Sequence, residues 1–153
     1  MENVTTNIIS SFRGEYRFLS NFHPCEIIFN NLVFPSVEHA YVASKTFDSN
    51  IHRKIQQIPS AGKVKRLGKT LKIRPDFDDK KVIFMADFLI QKFKIPTMRQ
   101  SLVDTGDISI IEGNIWHDNF WGICICDRCQ MIEGKNMLGK LLMRIRHYKN
   151  RSI

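Results

Sequence analysis

The run FPSVEHAYVASK marks a point at which a strand must give way to a helix. Pro35 ends the preceding strand, and Ser36 is a natural N-cap because its hydroxyl can accept a hydrogen bond from a backbone N–H of the first turn. Glu38 falls in that first turn, where the helix dipole favours a negative charge. The run therefore predicts a strand followed directly by a helix with a carboxylate at its start.

One face of this predicted helix carries an acid, an aromatic ring and a base. Glu38, Tyr41, Val42 and Lys45 follow the i, i+3, i+4, i+7 spacing that places side chains on the same face. Glu38 and Lys45 are about 10.5 Å apart along the axis at 1.5 Å per residue, so a ligand can fit between them. The alternative is a glutamate that contacts only the helix dipole and a lysine that is solvated.

The first third of the chain has the pattern of extended structure. The segments EYRFLSNF, EIIF and LVF favour strands, and Asn30-Asn31 between the last two is suited to a tight hairpin turn. Further strands are predicted around residues 108–111 and 120–126. We expect a small antiparallel sheet built from both ends of the chain.

Helices are predicted for most of the remaining chain. The strongest pattern covers residues 76–93, with Asp76 as a cap and apolar residues at helical spacing. Other helices are expected over residues 51–58, 61–71, 96–105 and 136–148, the first two capped by Ser49 or Asn50 and by Ser60. No linker or repeat interrupts the chain. We therefore expect an α+β, mainly helical single domain over residues 1–153, with its core at about 12–149.

Composition and charge exclude some classes of protein. No apolar run approaches the roughly 20 residues needed to cross a bilayer, and the N-terminus lacks the pattern of a secretion signal. We expect a cytoplasmic protein with no membrane partner. The formal net charge of +8 favours an anionic partner, such as a phosphate or a nucleic acid, although basic charge also keeps proteins dispersed.

Three of the four cysteines lie close together, and Cys25 lies apart. With His117, the run Cys124, Cys126 and Cys129 offers three sulfurs and an imidazole to zinc, but C-x-C-x-x-C lacks the paired C-x-x-C of common zinc sites. Cys124 and Cys126 also fit one face of a short strand. The sequence favours thiols in a core or hairpin, so we expect no metal and no cofactor.

Several segments resemble one family when they are taken together. GEYRFLSNFHPCEIIFNNLVFPSVEHAYVASK, RPDFDDKKVIFMADFLIQKF, DNFWG and GKNMLGKLLMRIR are similar to successive motifs of the YbiA-like or NADAR family. The resemblance implies a YbiA-like fold and hydrolysis of an N-glycosidic bond between ribose C1′ and a base nitrogen. It implies two substrate classes: phosphorylated intermediates of riboflavin synthesis, and ADP-ribose on guanine, free or in nucleic acid. The alternative is a module that binds an ADP-ribose-like ligand without chemistry.

The resemblance implies three catalytic residues. Glu38 matches the family glutamate, and a carboxylate can stabilise the oxocarbenium character that develops when the C1′–N bond breaks. Asp118 matches the loop aspartate, which would orient ribose hydroxyls or act as a second acid or base; otherwise it forms a turn beside Asn119. Lys45 matches the lysine that closes the helix, and it either forms a Schiff base with the opened ribose or binds phosphate.

The same resemblance implies a set of substrate-binding residues: Ser20, Asn21, Phe22, Phe77, Trp121, Gly122, Asn136 and Arg146. Structural explanations also exist, including a polar turn for the SNF run, a core aromatic for Trp121, an N-cap for Asn136 and a helix-dipole contact for Arg146. Phe77 stands where the family usually has tryptophan. It keeps a stacking face but lacks the indole donor, which bears on substrate preference.

Overall fold

A computed structural model describes residues 7–151 of the chain. Within these residues the helices are α1 Val37–Ser44, α2 Ser49–Gln57, α3 Ala61–Gly68, α4 Phe77–Lys92, α5 Pro96–Asp104 and α6 Met137–Arg151, with 3-10 helices at Gly14–Leu19 and Asp127–Cys129. The strands are β1 Ile8–Ile9, β2 Pro24–Phe29, β3 Leu32–Ser36, β4 Ser109–Ile110, β5 Gly113–Asn114 and β6 Ile123–Cys124. The predicted α+β, mainly helical class is confirmed.

The described strands pair as three separate two-stranded sheets. β2 and β3 form the predicted antiparallel hairpin, whose turn residues Asn30 and Asn31 have φ of 48° and 61°. Asparagine tolerates this left-handed region better than most residues do. β1 with β4 and β5 with β6 are parallel pairs of two residues each. The strands near the two ends of the chain therefore do not extend the hairpin into one sheet.

The predicted strand over EYRFLSNF is wrong. Residues 14–19 form a 3-10 helix in which the N–H of Tyr16 donates to the carbonyl of Arg13. The N–H of Ser20 donates to the carbonyl of Arg17. Gly14 has φ of 57°, a conformation that glycine adopts without steric cost and that turns the chain out of extended structure. The aromatic residues that suggested a strand therefore lie on a tight helical turn.

The chain forms two compact units. The central unit is Asn21–Pro96, and the terminal unit joins residues 7–20 to residues 97–151. In the central unit α1 contacts β2, β3, α2, α3 and α4, and all eight of its residues are buried. A helix that is covered on every side must be mostly apolar, so the polar groups that α1 carries need partners.

The helix caps agree only in part with the sequence-based expectations. The Ser36 and Ser60 side chains accept hydrogen bonds from the N–H of His39 and Lys63, as predicted. α2 is capped by Asp48 rather than by Ser49 or Asn50, because its carboxylate accepts two backbone N–H groups. Asp76 makes no side-chain cap at α4, since its carboxylate pairs with the Arg74 guanidinium, which lowers the pKa of Asp76 to about 2.

In the terminal unit α6 packs on β4 through an apolar stripe that includes Leu138, Leu142 and Ile145. The helix spans Met137–Arg151, close to the predicted residues 136–148. None of the described helices combines the length and the apolar character that crossing a membrane requires.

Candidate functional site

Lys45 ends α1 with its amine held over two aromatic rings. Its Nζ lies 5.4 Å from the centroid of the Tyr41 ring and 6.0 Å from that of Phe77. The two rings are tilted by 54° at a centroid distance of 5.6 Å. A cation at this distance is attracted to the negative ring faces. Phe77 is only 5% exposed, so its ring is buried from solvent and contacts Tyr41 and Lys45.

The Lys45 amine is set in a positive and partly desolvated environment. Burial lowers the pKa of Lys45, while the Glu38 carboxylate opposes that shift. The neighbouring amines of Lys65 and Lys69 lower the pKa of Lys45 further. These effects leave more of the amine in its neutral, nucleophilic form than on a solvated lysine.

α3 approaches this amine through a glycine. A Cβ built on Gly68 would lie 3.1 and 3.2 Å from the Val42 methyl groups and 3.6 Å from Lys45 Nζ. Contacts of 3.1 Å are tighter than a methyl group tolerates without movement of its neighbours. Glycine at this position therefore allows α3 to lie close to α1 and to cover the Lys45 side chain.

Glu38 lies in the first turn of α1 and is 9% exposed. Its backbone N–H donates to the carbonyl oxygen of Asn21 at 3.0 Å. The Asn21 side chain contacts the Met85 sulfur at 3.6 Å through Nδ2, and its buried Oδ1 has no donor among the described residues. A buried acceptor without a donor costs about 1–3 kcal/mol. A donor from a bound substrate or water would remove this cost.

Phe22, the next residue of the SNF run, contacts one of the lysines that surround Lys45. Lys65 Nζ lies 5.7 Å from the centroid of the Phe22 ring. Ser20, the first residue of the run, follows the 3-10 helix of the terminal unit. The run is thus divided between the two units.

His39, beside Glu38, has a structural explanation. Its Nε2 lies 2.7 Å from the carbonyl oxygen of Ile58, which can only accept, so this nitrogen carries the proton. Nδ1 lies 2.6 Å from Ser36 Oγ and accepts from that hydroxyl. Burial lowers the pKa of His39. The neutral ring joins α1 to the segment that follows α2.

Asp118 organises a tight turn in the terminal unit. Its Oδ1 accepts from the N–H of Phe120 at 3.0 Å and from that of Trp121 at 2.8 Å. The Asn114 amide brackets the turn by bonding both the N–H and the carbonyl of Asp118. The Trp121 ring packs edge-to-face on Phe120 at 4.8 Å. The turn that the sequence offers as the alternative for Asp118 is formed, and its predicted catalytic role stays a prediction.

Three other predicted binding residues of the terminal unit make close contacts within it. A Cβ on Gly122 would collide with the backbone oxygen and side chain of Glu112. The buried Asn136 amide accepts from the Glu112 N–H at 3.0 Å and donates to the Ile110 carbonyl at 2.9 Å. Arg146 Nη1 donates to Thr105 Oγ1 and to the Ile108 carbonyl at 3.0 and 2.8 Å. Their binding roles stay predictions.

The predicted site residues thus fall into two groups. Within the central unit, the Glu38 N–H bonds the Asn21 carbonyl, and the Glu38 carboxylate acts electrostatically on the Lys45 amine, which lies over the Phe77 ring. The neighbouring Lys65 amine lies over the Phe22 ring. Trp121, Gly122 and Asn136 surround the Asp118 turn of the terminal unit. The site also includes three residues that the sequence did not predict as part of it, Tyr41, Lys65 and Lys69. The pattern that could have indicated Tyr41 is its position on the same helical face as Glu38 and Lys45. The pattern that could have indicated the two lysines is the basic run KVKRLGK after the Ser60 cap.

The structure is similar to a solved structure of the YbiA class. The NMR structure of the Escherichia coli protein YbiA matches with a TM-score of 0.77 and 25% identity, over 99% of this chain and 90% of that one. The class is therefore that of YbiA-like α+β domains. The NADAR domain model matches residues 10–148, and the chain belongs to the NADAR domain family.

Named relatives share this similarity. N-glycosidase Npun_R5314 of Nostoc punctiforme is 34% identical over 137 residues, which cover 86% of this chain and 84% of that protein. Riboflavin biosynthesis protein VVA0006 of Vibrio vulnificus is 33% identical over 132 residues, 84% of this chain. N-glycosidase YbiA of Escherichia coli is 28% identical over 149 residues. The chain spans 34% of the Vibrio protein but 89% of the Escherichia coli one.

Proposed function

We propose that this protein is an N-glycosidase that hydrolyses the C1′–N bond between a ribose and a base nitrogen in an anionic substrate. The observation that carries the proposal concerns the Lys45 amine. Burial lowers the pKa of this amine, and the carboxylate of Glu38, at the start of the same helix, interacts with it. A carboxylate and an amine of lowered pKa are groups that can carry out such a cleavage. The N-glycosidase relatives point to the same chemistry.

The proposed reaction begins on the ring-opened form of the sugar, in which C1′ is double-bonded to the base nitrogen. The lone pair of neutral Lys45 Nζ adds to C1′, and the C1′–N bond to the base then breaks. Glu38 transfers the two protons lost by Nζ, one after the other, to the departing nitrogen. Water hydrolyses the resulting C1′–Nζ imine, which returns the free amine and the sugar aldehyde. Every atom balances with water as the co-substrate, so the reaction needs no cofactor.

The surroundings of Lys45 favour an anionic ribosyl group. Lys65 and Lys69 bring positive charge close to the amine, and phosphate oxygens bind such amines strongly. The Phe22 ring, over which the Lys65 amine lies, is an aromatic surface on which a base ring can pack. A phosphoribosyl intermediate of riboflavin synthesis fits these features, as does ADP-ribose on guanine. The riboflavin biosynthesis name of the Vibrio vulnificus relative favours the first class, and the +8 charge accommodates nucleic acid as well.

The test is to incubate the pure protein separately with a phosphorylated riboflavin precursor and with ADP-ribosylated guanosine, and to measure released base and ribosyl phosphate. We expect turnover of at least one and loss of turnover in Glu38→Gln. Glu26→Gln, on an exposed position of β2, is the matched control. Binding of ADP-ribose without any product would instead identify a binding module.

Salt separates the two substrate classes. A protein that neutralises several phosphates of a nucleic acid releases counterions, so its affinity falls steeply as salt rises. Recognition of one small phosphate has a shallow dependence. We expect KM to rise steeply with salt for ADP-ribosylated DNA if that is the substrate. If the DNA substrate is not turned over and the small precursor is turned over efficiently, the function is the metabolic reaction.

A further inference from the structure

One cluster of side chains lies outside the proposed chemistry. His117, Cys124, Cys126 and Cys129 of the terminal unit, hereafter the Cys–His cluster, bring one imidazole nitrogen and three sulfurs within 4.8 Å of one another. The Nδ1 atom of His117 lies 3.3 Å from Cys129 Sγ, 3.4 Å from Cys126 Sγ and 3.9 Å from Cys124 Sγ. One nitrogen thus faces three sulfurs at nearly equal distances.

These distances are those of the corners of a tetrahedron around a metal ion. With Zn–S of about 2.3 Å, Zn–N of about 2.0 Å and tetrahedral angles, a nitrogen and a sulfur ligand lie about 3.5 Å apart. The three observed nitrogen–sulfur distances, between 3.3 and 3.9 Å, lie on either side of that value. We propose that the Cys–His cluster binds one structural zinc ion. The spacing of the cysteines alone had led us to expect no metal.

The local backbone brings the ligand atoms of all four side chains close together. Cys124 is placed by β6, where it pairs in register with Asn114, and its N–H donates to Asn119 Oδ1. Cys126 immediately precedes the short 3-10 helix Asp127–Cys129 and Cys129 ends it, and the Cys129 N–H donates to the Cys126 carbonyl. The turn brings Cys129 Sγ close to the sulfurs of Cys124 and Cys126. Cys126 and Cys129 thus form one C-x-x-C pair of the kind found in common zinc sites, and Cys124 and His117 take the place of the second pair.

His117 adopts a strained backbone to reach the sulfurs. Its φ is 70°, in the left-handed region that costs a residue with a Cβ about 1–2 kcal/mol. A histidine held there for no purpose would be replaced at little cost by asparagine or glycine, which the region accepts. Strain of this kind is found where a side chain must point at a ligand.

The segment around the cluster buries few large apolar side chains. Ile115, Trp116, Ile125 and Ile132 are each at least half exposed, and Met131 is 97% exposed. A segment that hides so little apolar surface gains little from the hydrophobic effect to offset its ordering entropy. Metal binding supplies free energy that a small apolar cluster cannot.

The donor set selects the ion and fixes the charge balance. Three thiolates and a neutral imidazole suit zinc, whereas magnesium and calcium prefer oxygen ligands. Binding replaces three thiol protons by one Zn²⁺, so the site has a net charge of −1 and three protons pass to solvent. Four protein ligands complete the tetrahedron and leave no position for substrate, so the role is structural rather than catalytic.

Such an ion would cross-link the turn that contains Asp118. His117 immediately precedes Asp118, and the remaining ligands follow Gly122, so the metal closes the loop between residues 117 and 124. The Asn119 amide, bonded to the Cys124 backbone, already joins the same two segments. Zinc therefore stabilises the conformation of the Asp118 turn without taking part in bond cleavage.

The experiment is metal analysis of the reduced, full-length protein purified from zinc-supplemented medium without an affinity tag that binds metal. We expect about one zinc per chain, and we expect added Co²⁺ to give the intense visible absorption of tetrahedral cobalt with a thiolate charge-transfer band in the near ultraviolet. Cys126→Ser and Cys129→Ser should each lose most of the zinc. Cys25→Ser, the matched control in the central unit, should retain it.

A variant that fails to fold does not obscure the result. Zinc and cobalt are then titrated into the unmodified protein after removal of metal by a chelator, with proton release and thermal unfolding as readouts. We expect release of three protons per metal and a higher Tm with metal. Absence of both zinc and a tetrahedral cobalt spectrum would overturn the proposal. So would a disulfide between two cluster cysteines in the freshly purified protein, or zinc retained after both serine substitutions.

Discussion

The two polar regions of this molecule use their side chains in opposite ways. On α1, an apolar and fully buried helix, the Glu38 carboxylate and Lys45 amine interact with each other and with neighbouring charges and rings. Around the Asp118 turn, by contrast, the side chains of Asp118, Asn119 and Asn136 bond to the backbone. Polar groups that satisfy the backbone hold a loop in place, whereas a charged group whose pKa its neighbours shift is a candidate for chemistry. Substitutions in the first region should reduce turnover and those in the second should reduce stability.

Replacement of Glu38 by Gln should have the largest effect. The change removes a charge and keeps the volume, so we expect turnover to fall a hundred-fold or more, which corresponds to about 3 kcal/mol of transition-state stabilisation. Steady-state kinetics and a thermal melt measure both quantities, with Glu26→Gln as the control. Turnover within threefold of the unmodified protein would remove Glu38 from the mechanism.

Replacement of Lys45 by Arg should lower turnover about a hundred-fold, the scale of one acid, base or nucleophile. Arginine keeps the charge but cannot act as a neutral amine. Because the neutral amine is the reactive form, turnover should rise with pH through the pKa of Lys45. Burial lowers that pKa, so turnover should rise at a pH below the usual lysine pKa of about 10.4.

Borohydride added during turnover distinguishes the two proposed roles of Lys45. A Schiff base would be reduced to a stable sugar adduct on the Lys45 peptide, which mass spectrometry detects. Lys63→Arg, an exposed change on α3, should react like the unmodified protein. An active Lys45→Arg variant and no adduct would show that Lys45 only anchors phosphate.

Replacement of Asn136 by Ala should destabilise the protein by about 2–3 kcal/mol. The change leaves the Glu112 N–H and the Ile110 carbonyl without their partner and puts alanine at φ of 49°. Urea unfolding measures the loss, and Asn150→Ala on an exposed position of α6 should change stability by less than about 0.5 kcal/mol. A Gly at 136 relieves the backbone strain and should recover only part of the loss.

Replacement of Arg146 by Met should have the smallest of these effects, a loss of about 1–2 kcal/mol in stability. Its guanidinium bonds Thr105 and Ile108 inside the terminal unit, and hydrogen bonds from charged groups contribute on this scale. Arg144→Met on an exposed position is the control. A tenfold rise in KM at unchanged stability would instead support the substrate-binding role that the resemblance implies.

Local chemistry explains which features the sequence predicted correctly. The Ser36 cap, the Asn30-Asn31 turn and the periodic pattern of α4 depend on neighbours within a few residues, and all three are present. The EYRFLSNF prediction failed because the left-handed Gly14 outweighs an aromatic pattern that suits a strand. Helix α3 ends at Gly68, short of the predicted residue 71.

The site was predictable only where one helix carries it. Glu38 and Lys45 share α1, so helical spacing alone places them on one face. The neighbours that lower the pKa of Lys45 come from α3, and no periodicity within α1 indicates them. The Cys–His cluster depends on the pairing of β5 with β6 and on the backbone of His117. Spacing in the sequence shows neither of these.

The missing side chain at Gly68 gives this protein a simple means of adjusting the pKa of Lys45. The distance between α3 and α1 controls how much water reaches the Lys45 amine, and a single methyl group at position 68 would press on Val42 and widen that distance. More water would return the amine towards the acidity of a free lysine. The acidity at which such a protein works best is thus set by the closeness of two helices, and one small residue can retune it without altering any group that touches the substrate.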